Sequence, residues 1–339
     1  MLEHVTEMHG KITGAAAYLP PLRVPSADVE ARIARSSEGF TPYAGIVERL
    51  TGIRNRHVAA PGQQASDLAV AAAGKLLANR GIGPADLDLL IFGSASQDMI
   101  EPATAHIVAA KLGATCPVFD VKNACNSLLN GLHLADALIR TGQARRVLVC
   151  SGEVPSRAVR WRVRDRDQFA DAFAGYTLSD GGAAVLVEAA ATGFFHWSFA
   201  ADSTAWEIGT LPAGGTMHPR DPEYSYFSGD GRKLRDVFLR MGPGLFQSAL
   251  AETGLSWTDF AFVGVHQVAV PYLEVLRRGL GIPADRLVVT LPEHGNLASV
   301  TLALQLAYAL EEGRCRPGDK IALIGLAGGV SLGLGLAEL

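Results

Sequence analysis

The chain has 339 residues, 48% of them hydrophobic and 19% charged, enough for a large core divided between two lobes that share an interface. A formal net charge of −4 removes any general electrostatic reason to bind nucleic acid or anionic membranes and leaves small-molecule chemistry as the expectation. Cys116, Cys125, Cys150 and Cys315 form no CxxC pair and have no histidine spacing suited to zinc, so each is expected as a free thiol, with no metal and no cofactor.

Taken in order, Met1–Gly10 carries acidic residues and lacks the basic start and apolar stretch of a secretory signal, and no apolar run is long enough to span a membrane, so a cytoplasmic protein is expected. Leu89–Gly93 reads as a buried strand. The loop after it contains Gln97-Asp98-Met99-Ile100-Glu101-Pro102, where Glu101 is either a surface carboxylate near a helix start or a base lodged in an apolar tunnel. Phe119 to Ser127 is a strand-to-helix passage that puts Cys125 at or near a helix N-terminus. Unpaired N–H groups and the helix dipole there favour a thiolate, a ready acyl acceptor. A small buried hydrophobe is the competing reading.

Val147–Cys150 is a second buried strand, followed by Arg157 to Arg166, in which arginines alternate with apolar residues and then with acids. Arg160 and Arg162 suit an acidic carrier protein or a pantetheine phosphate, and a solvated loop serves equally well. Ala261 to Val265 is an apolar run from which His266 emerges at the strand end. Asn296 precedes an apolar helix, where it is either a site residue or an N-cap. Ile321–Gly325 is another buried strand, leading to Ala327-Gly328-Gly329. This succession of strands and helices is an α/β pattern with covered sheets. Leu134-Ala135-Asp136-Ala137-Leu138 and Leu306-Ala307-Tyr308-Ala309-Leu310 lie 172 residues apart. That offset carries Cys125 to position 297 and His266 back to Ser94, so the chain reads as a duplicated unit, residues 1–187 and 188–339, whose equivalent ends face one another around one site.

Asp120–Ser127, Val265–Val268, His294–Asn296 and the glycine-rich end together resemble the ketoacyl-ACP synthase III branch of the thiolase superfamily; Lys11–Pro20 and Thr51–His57 extend the resemblance over nearly the whole chain. The resemblance implies a duplicated five-layered αβαβα thiolase fold, a homodimer, and a Cys125-His266-Asn296 active site. It also implies an oxyanion hole made by the backbone N–H groups of Cys125 and Gly328. Where the family's chain-initiating enzymes contact coenzyme A with a tryptophan and an arginine, this chain has Ile46 and Leu50, and the asparagine closing their His-Gln-Ala-Asn motif is replaced by Ala269. Glu101 resembles the glutamate that olefin-pathway thiolases extend across their dimer as a base. The expectation is therefore an acyltransferase that loads Cys125 from a carrier-protein or coenzyme A thioester. It then passes the acyl group to a hydroxyl or amine acceptor, as the synthase III-like acyltransferases of antibiotic and polyketide pathways do. The alternative is carbon–carbon bond formation by Claisen condensation on the same acyl-enzyme.

Overall fold

A computed structural model describes residues 7–339; most of the acidic N-terminal stretch read above lies outside the described residues. Nine strands build two sheets. The first contains β1 (His9–Tyr18), β2 (Leu89–Gly93), β3 (Val118–Val121), β4 (Arg146–Glu153) and β5 (Gly181–Ala190), in the order β1-β5-β4-β2-β3. The second contains β6 (Phe194–Ala201), β7 (Phe262–Val265), β8 (Lys320–Ala327) and β9 (Ser331–Glu338), in the order β7-β8-β9-β6. A parallel bridge from Val263 to Leu287 occupies the next place beyond β7. Read from β6 outward, the second order repeats the first. Both sheets pair their first, last and penultimate strands antiparallel and the remainder parallel.

The duplication read from the sequence is thus present in the topology. The chain passes from one sheet to the other at 191–193, so the division expected at 187/188 runs through β5.

Side-chain alternation assigns the layers. In β2 and β4, Ile91, Val147 and Val149 face one way and Leu90, Phe92, Leu148 and Cys150 the other, as strand geometry requires. The first set packs against α3 (Ser127–Arg140) and, beyond it, α7 (Thr301–Glu311). These two helices occupy the interior between the sheets, and Ile321 and Leu323 of β8 close the same core from the far side. The second set meets α1 (Ala65–Arg80) and α2 (Thr104–Leu112). Outside the second sheet, α4 (Gly231–Met241), α5 (Gly244–Thr253) and α6 (Val270–Leu280) pack on Val263, Val265, Ala322 and Ile324. The result is the five-layered αβαβα arrangement. No described helix is long and apolar enough to cross a membrane.

Two glycines let α1 lie directly on the first sheet. A Cβ at Gly152 would stand 1.8 Å from the Ala65 carbonyl oxygen, and one at Gly182 2.0 Å from that of Leu68. Backbone cannot yield as a side chain does. Gly152→Ala or Gly182→Ala should therefore cost at least about 3 kcal/mol in denaturant unfolding, whereas Gly62→Ala, with nothing within 4 Å of the added atom, should change stability by less than about 0.5 kcal/mol.

Candidate active site

The parallel strands end on one side of the molecule, and the turns that leave them carry the polar residues. After β3 the chain bends sharply: Ala124 adopts φ 45°, a left-handed conformation rare outside glycine. Ser127 fixes the bend by accepting the Asn123 N–H at 2.8 Å and donating its hydroxyl to the Ala124 carbonyl at 2.6 Å. The strained bend projects Cys125 just before the first turn of α3.

The thiolate expectation does not hold for the free protein. Burial pushes the Cys125 thiol up to about 12, and the Glu153 carboxylate adds to the rise against the opposing bond from the cysteine's own N–H. The helix start gives less help than its position suggests, because the Asn126 and Ser127 N–H groups already bond to the Asn123 and Ala124 carbonyls at 2.9 and 3.1 Å. All four cysteines are free, as expected.

His266 leaves β7 with its backbone N–H on the Ile324 carbonyl at 2.9 Å. Its ring is buried, and neither ring nitrogen has a hydrogen-bond partner within the chain. Burial lowers its pKa to about 4, so the imidazole is neutral. The next residue, Gln267, was given no role of its own within its motif. Its amide donates to the Val288 carbonyl at 2.8 Å, and its oxygen accepts the Thr290 and Leu291 N–H groups at 3.0 and 3.1 Å. One buried side chain thereby ties the His266 turn to the segment approaching Asn296.

Asn296 is buried and braced on both backbone sides: its N–H donates to the Thr177 carbonyl at 2.8 Å, and its carbonyl accepts the Ser179 N–H at 2.9 Å. The Ala298 N–H donates to its side-chain oxygen at 3.1 Å, which fixes the amide's orientation. Its NH2 is left with only a long 3.4 Å contact to the Thr177 hydroxyl. Asn296 is not the N-cap of the helix that follows: its oxygen closes a local turn two residues on, and its nitrogen remains available.

Behind it, Tyr308 donates to His294 Nε2 at 3.2 Å, His294 Nδ1 meets His57 Nε2 at 3.0 Å, and His57 Nδ1 donates to the Pro20 carbonyl at 2.7 Å. These directions are the ones two neutral rings give, and desolvation lowers both pKa values, that of His294 to about 4. His57 thus serves packing and hydrogen bonding behind the site.

Cys125, His266, Asn296 and Gly328 line one cavity of about 270 Å³, whose remaining wall is mostly apolar and includes Phe238, Phe246, Leu273 and Leu276. Asp230 and Arg235 also line it, and sequence reading had singled out neither. The Asp230 carboxylate caps α4 by accepting the Arg232 and Lys233 N–H groups, and these bonds hold its pKa below the usual value.

The other sequence candidates stand elsewhere. Glu101 is exposed and absent from the cavity wall. Arg160 stacks on Tyr226 and donates to the Glu223 carbonyl at 3.0 Å, while the exposed Arg162 pairs with Glu38; neither reaches the cavity. The internal offset also changes locally. The second left-handed alanine, Ala298 at φ 47°, lies 174 residues after Ala124, which puts Ser299 rather than Leu297 opposite Cys125. Ser299 donates to the buried Glu153 and contacts the Ser151 hydroxyl at 2.7 Å. Among the described residues no acidic, histidine or cysteine side chains cluster as a metal site.

A duplicated αβαβα chain with this cavity at its strand ends defines a member of the thiolase superfamily. Its residues 119–203 match the family model for 3-oxoacyl-[acyl-carrier-protein] synthase III, and residues 250–339 match the model for that enzyme's C-terminal part. The β-ketoacyl-[acyl-carrier-protein] synthase III of Neisseria meningitidis serogroup B is 31% identical over 97% of this chain and 99% of its own length. Two crystal structures are also similar. The 3-oxoacyl-[acyl-carrier-protein] synthase III of Aquifex aeolicus is 26% identical with a TM-score of 0.84, over 97% of this chain and 100% of that one. OleA of Xanthomonas campestris, with bound lauric acid and lauroyl-CoA, is 25% identical with a TM-score of 0.87, over 98% and 100%. The chain belongs to the ketoacyl-ACP synthase III family.

Two measurements test these electrostatics. Alkylation of Cys125 by iodoacetamide should quicken steadily through pH 8 to 10 without the midpoint near pH ~8.5 of an ordinary thiol; a midpoint below pH 8 would mean that the thiolate is stabilised after all. His266 and His294 have pKa values depressed on folding, so their contribution is present above the unfolded value near 6.5 and is lost as pH falls toward about 4. For His266 the loss is on the order of 3 kcal/mol, visible as a falling melting temperature between pH 7 and pH 4.5.

Proposed function

We propose that the chain joins an acyl group held on Cys125 to a second thioester by Claisen condensation, releasing a β-keto thioester. The observation that carries this reading is the pair of unspent donors on the cavity wall: a neutral imidazole with both nitrogens free and an amide whose NH2 is oriented away from the turn its oxygen closes. Two neutral donors suit the carbonyl of an incoming thioester, whose oxygen becomes anionic when a carbanion forms beside it.

In the first half-reaction the Cys125 sulfur attacks the donor thioester and expels its thiol, with the oxyanion held by the backbone N–H groups of Cys125 and Gly328. In the second, the nucleophilic carbon forms on the other thioester by loss of carbon dioxide from a malonyl group, a step that needs no base. It attacks the acyl carbon, and the carbon–sulfur bond to Cys125 breaks. The leaving sulfur takes up a proton, restoring the thiol that burial favours.

Condensation is thereby favoured over the expected acyl transfer to a hydroxyl or amine. Transfer to a hydroxyl or amine needs a base to deprotonate the acceptor. Asp230 is committed to its helix cap and Glu101 lies outside its own chain's cavity, so within one chain that base would be His266, the group the condensation already uses as a donor. The relatives' names point the same way, since a β-ketoacyl synthase makes a carbon–carbon bond. Ile46 and the half-exposed Leu50 still favour a donor held without adenine stacking. An acyl carrier protein thioester fits this best, with coenzyme A as the other candidate. For docking we assign the basic face of α4 beside the cavity, Arg232, Lys233 and Arg240, ahead of Arg160 and Arg162. The family resemblance supports a homodimer as part of the same proposal.

Incubation with acyl carrier protein or coenzyme A thioesters should add the acyl mass to the wild-type chain and not to Cys125→Ala. Supplying a malonyl or second acyl thioester should then discharge the enzyme with a β-keto product. His266→Ala and Asn296→Ala should still acylate but condense at least about 100-fold more slowly. Discharge of the acyl group onto a hydroxyl or amine at the wild-type rate in both variants would establish simple transfer instead.

A further inference from the structure

Asn126, immediately after the nucleophile, is completely buried and belongs to none of the roles above. Its side chain crosses from the first half of the chain to the second: Nδ2 donates to the Ser331 carbonyl at 3.2 Å and to the Ser331 hydroxyl at 2.9 Å. The carbonyl can only accept, so the amide nitrogen must face it. The side-chain oxygen then points into the protein with no partner. Space for it exists because residue 325 is glycine; a Cβ there would lie 2.1 Å from the Asn126 oxygen. A buried amide with one end unsatisfied is an expensive way to fill volume, so its bonded end has to account for it.

What that end holds is the hairpin between β8 and β9. Ala327 pairs with Ser331, and the turn between them contains Gly328, Gly329 at φ 80° and Val330 at φ 30°. The two N–H groups assigned to the oxyanion hole belong to Cys125 and Gly328. One adjoins Asn126 along the chain, and the other lies in the turn whose closing residue Asn126 grips. They come from opposite halves, and no continuous element fixes their spacing.

We infer that Asn126 is a positioning residue that sets the Cys125 and Gly328 N–H groups in register across the two halves by bonding to Ser331. The inference rests on the reading of these N–H groups as the oxyanion hole. A fixed pair of donors accelerates attack on a thioester only if both reach the same oxygen, and a displacement of about an ångström costs up to about 100-fold. Alkylation by iodoacetamide passes through no oxyanion and is indifferent to that register.

The two reactions of one sulfur therefore separate the brace from a general structural role. In Asn126→Ala, single-turnover acylation of Cys125 by an acyl thioester should fall by about 10- to 100-fold, in the rate at saturation rather than in KM. The iodoacetamide rate should stay within about twofold of wild type. Ser331→Ala, which removes the hydroxyl and keeps the carbonyl, should show a smaller loss of the same kind, and the double variant should be no slower than Asn126→Ala. Unchanged acylation in Asn126→Ala, or equal losses in acylation and alkylation, would overturn the brace. Should Asn126→Ala fail to fold, the same split in Ser331→Ala decides: its presence supports the brace and its absence overturns it. A wild-type chain that takes no acyl group from any thioester would instead overturn the reading of Cys125, and this inference with it.

Discussion

The structure depends on one shared layer. α3 and α7 lie between the two sheets, and their apolar faces, Leu128, Leu129 and Leu132 on one helix and Leu302, Leu304 and Leu306 on the other, fill a core that neither half completes alone. Burial of this extent supplies the main driving force for folding. It also dictates where chemistry can occur. The starts of both helices meet the strand ends of both sheets, so polar groups belonging to distant parts of the chain converge where the shared core opens into the cavity. The left-handed residues Ala124 and Ala298 mark those two helix approaches. One bend projects the cysteine, and its counterpart follows an asparagine whose oxygen caps the bend.

Charge is nearly absent from the wall where the three residues meet. The cysteine is a thiol and the histidine a neutral imidazole, both because the surroundings are dry. Such a site holds little reactivity at rest. Its donors become effective when a reacting carbonyl brings charge into a medium with no water to screen it. Behind Asn296 the His57–His294–Tyr308 chain fixes the loop by hydrogen bonds, beside the ion pairs that Glu293 makes with Arg23 and Arg54 at the surface.

Much of this was legible in the sequence because strand ends and helix starts are local features. Cys125, His266 and Asn296 each sat at such a boundary, and the strand–helix succession gave the layers. What escaped was non-local. Two of the helix N–H groups that would favour a thiolate are claimed by the Asn123 and Ala124 carbonyls, which only the folded turn reveals. A constant offset of 172 missed the two-residue difference at the second bend, because the repeated helix segment and the bend drift independently. Gln267 looked like part of a motif, and only its three partners from 288 to 291 show it to be a fastener. Arg160 carried a charge the sequence could read, and an aromatic partner, Tyr226, that it could not.

The cavity wall has a second membership. Phe246, Val265, Leu273 and Leu332 face the cavity and are also buried members of the core that fastens α5 and α6 to the second sheet. A change in any of them alters the space offered to an acyl chain and the anchorage of the outer helices together. Adaptation to a longer or bulkier cargo at these positions is therefore coupled to thermodynamic stability. Leu239 of α4 lines the cavity without packing on that core, so selection for new cargo has a freer path through that position.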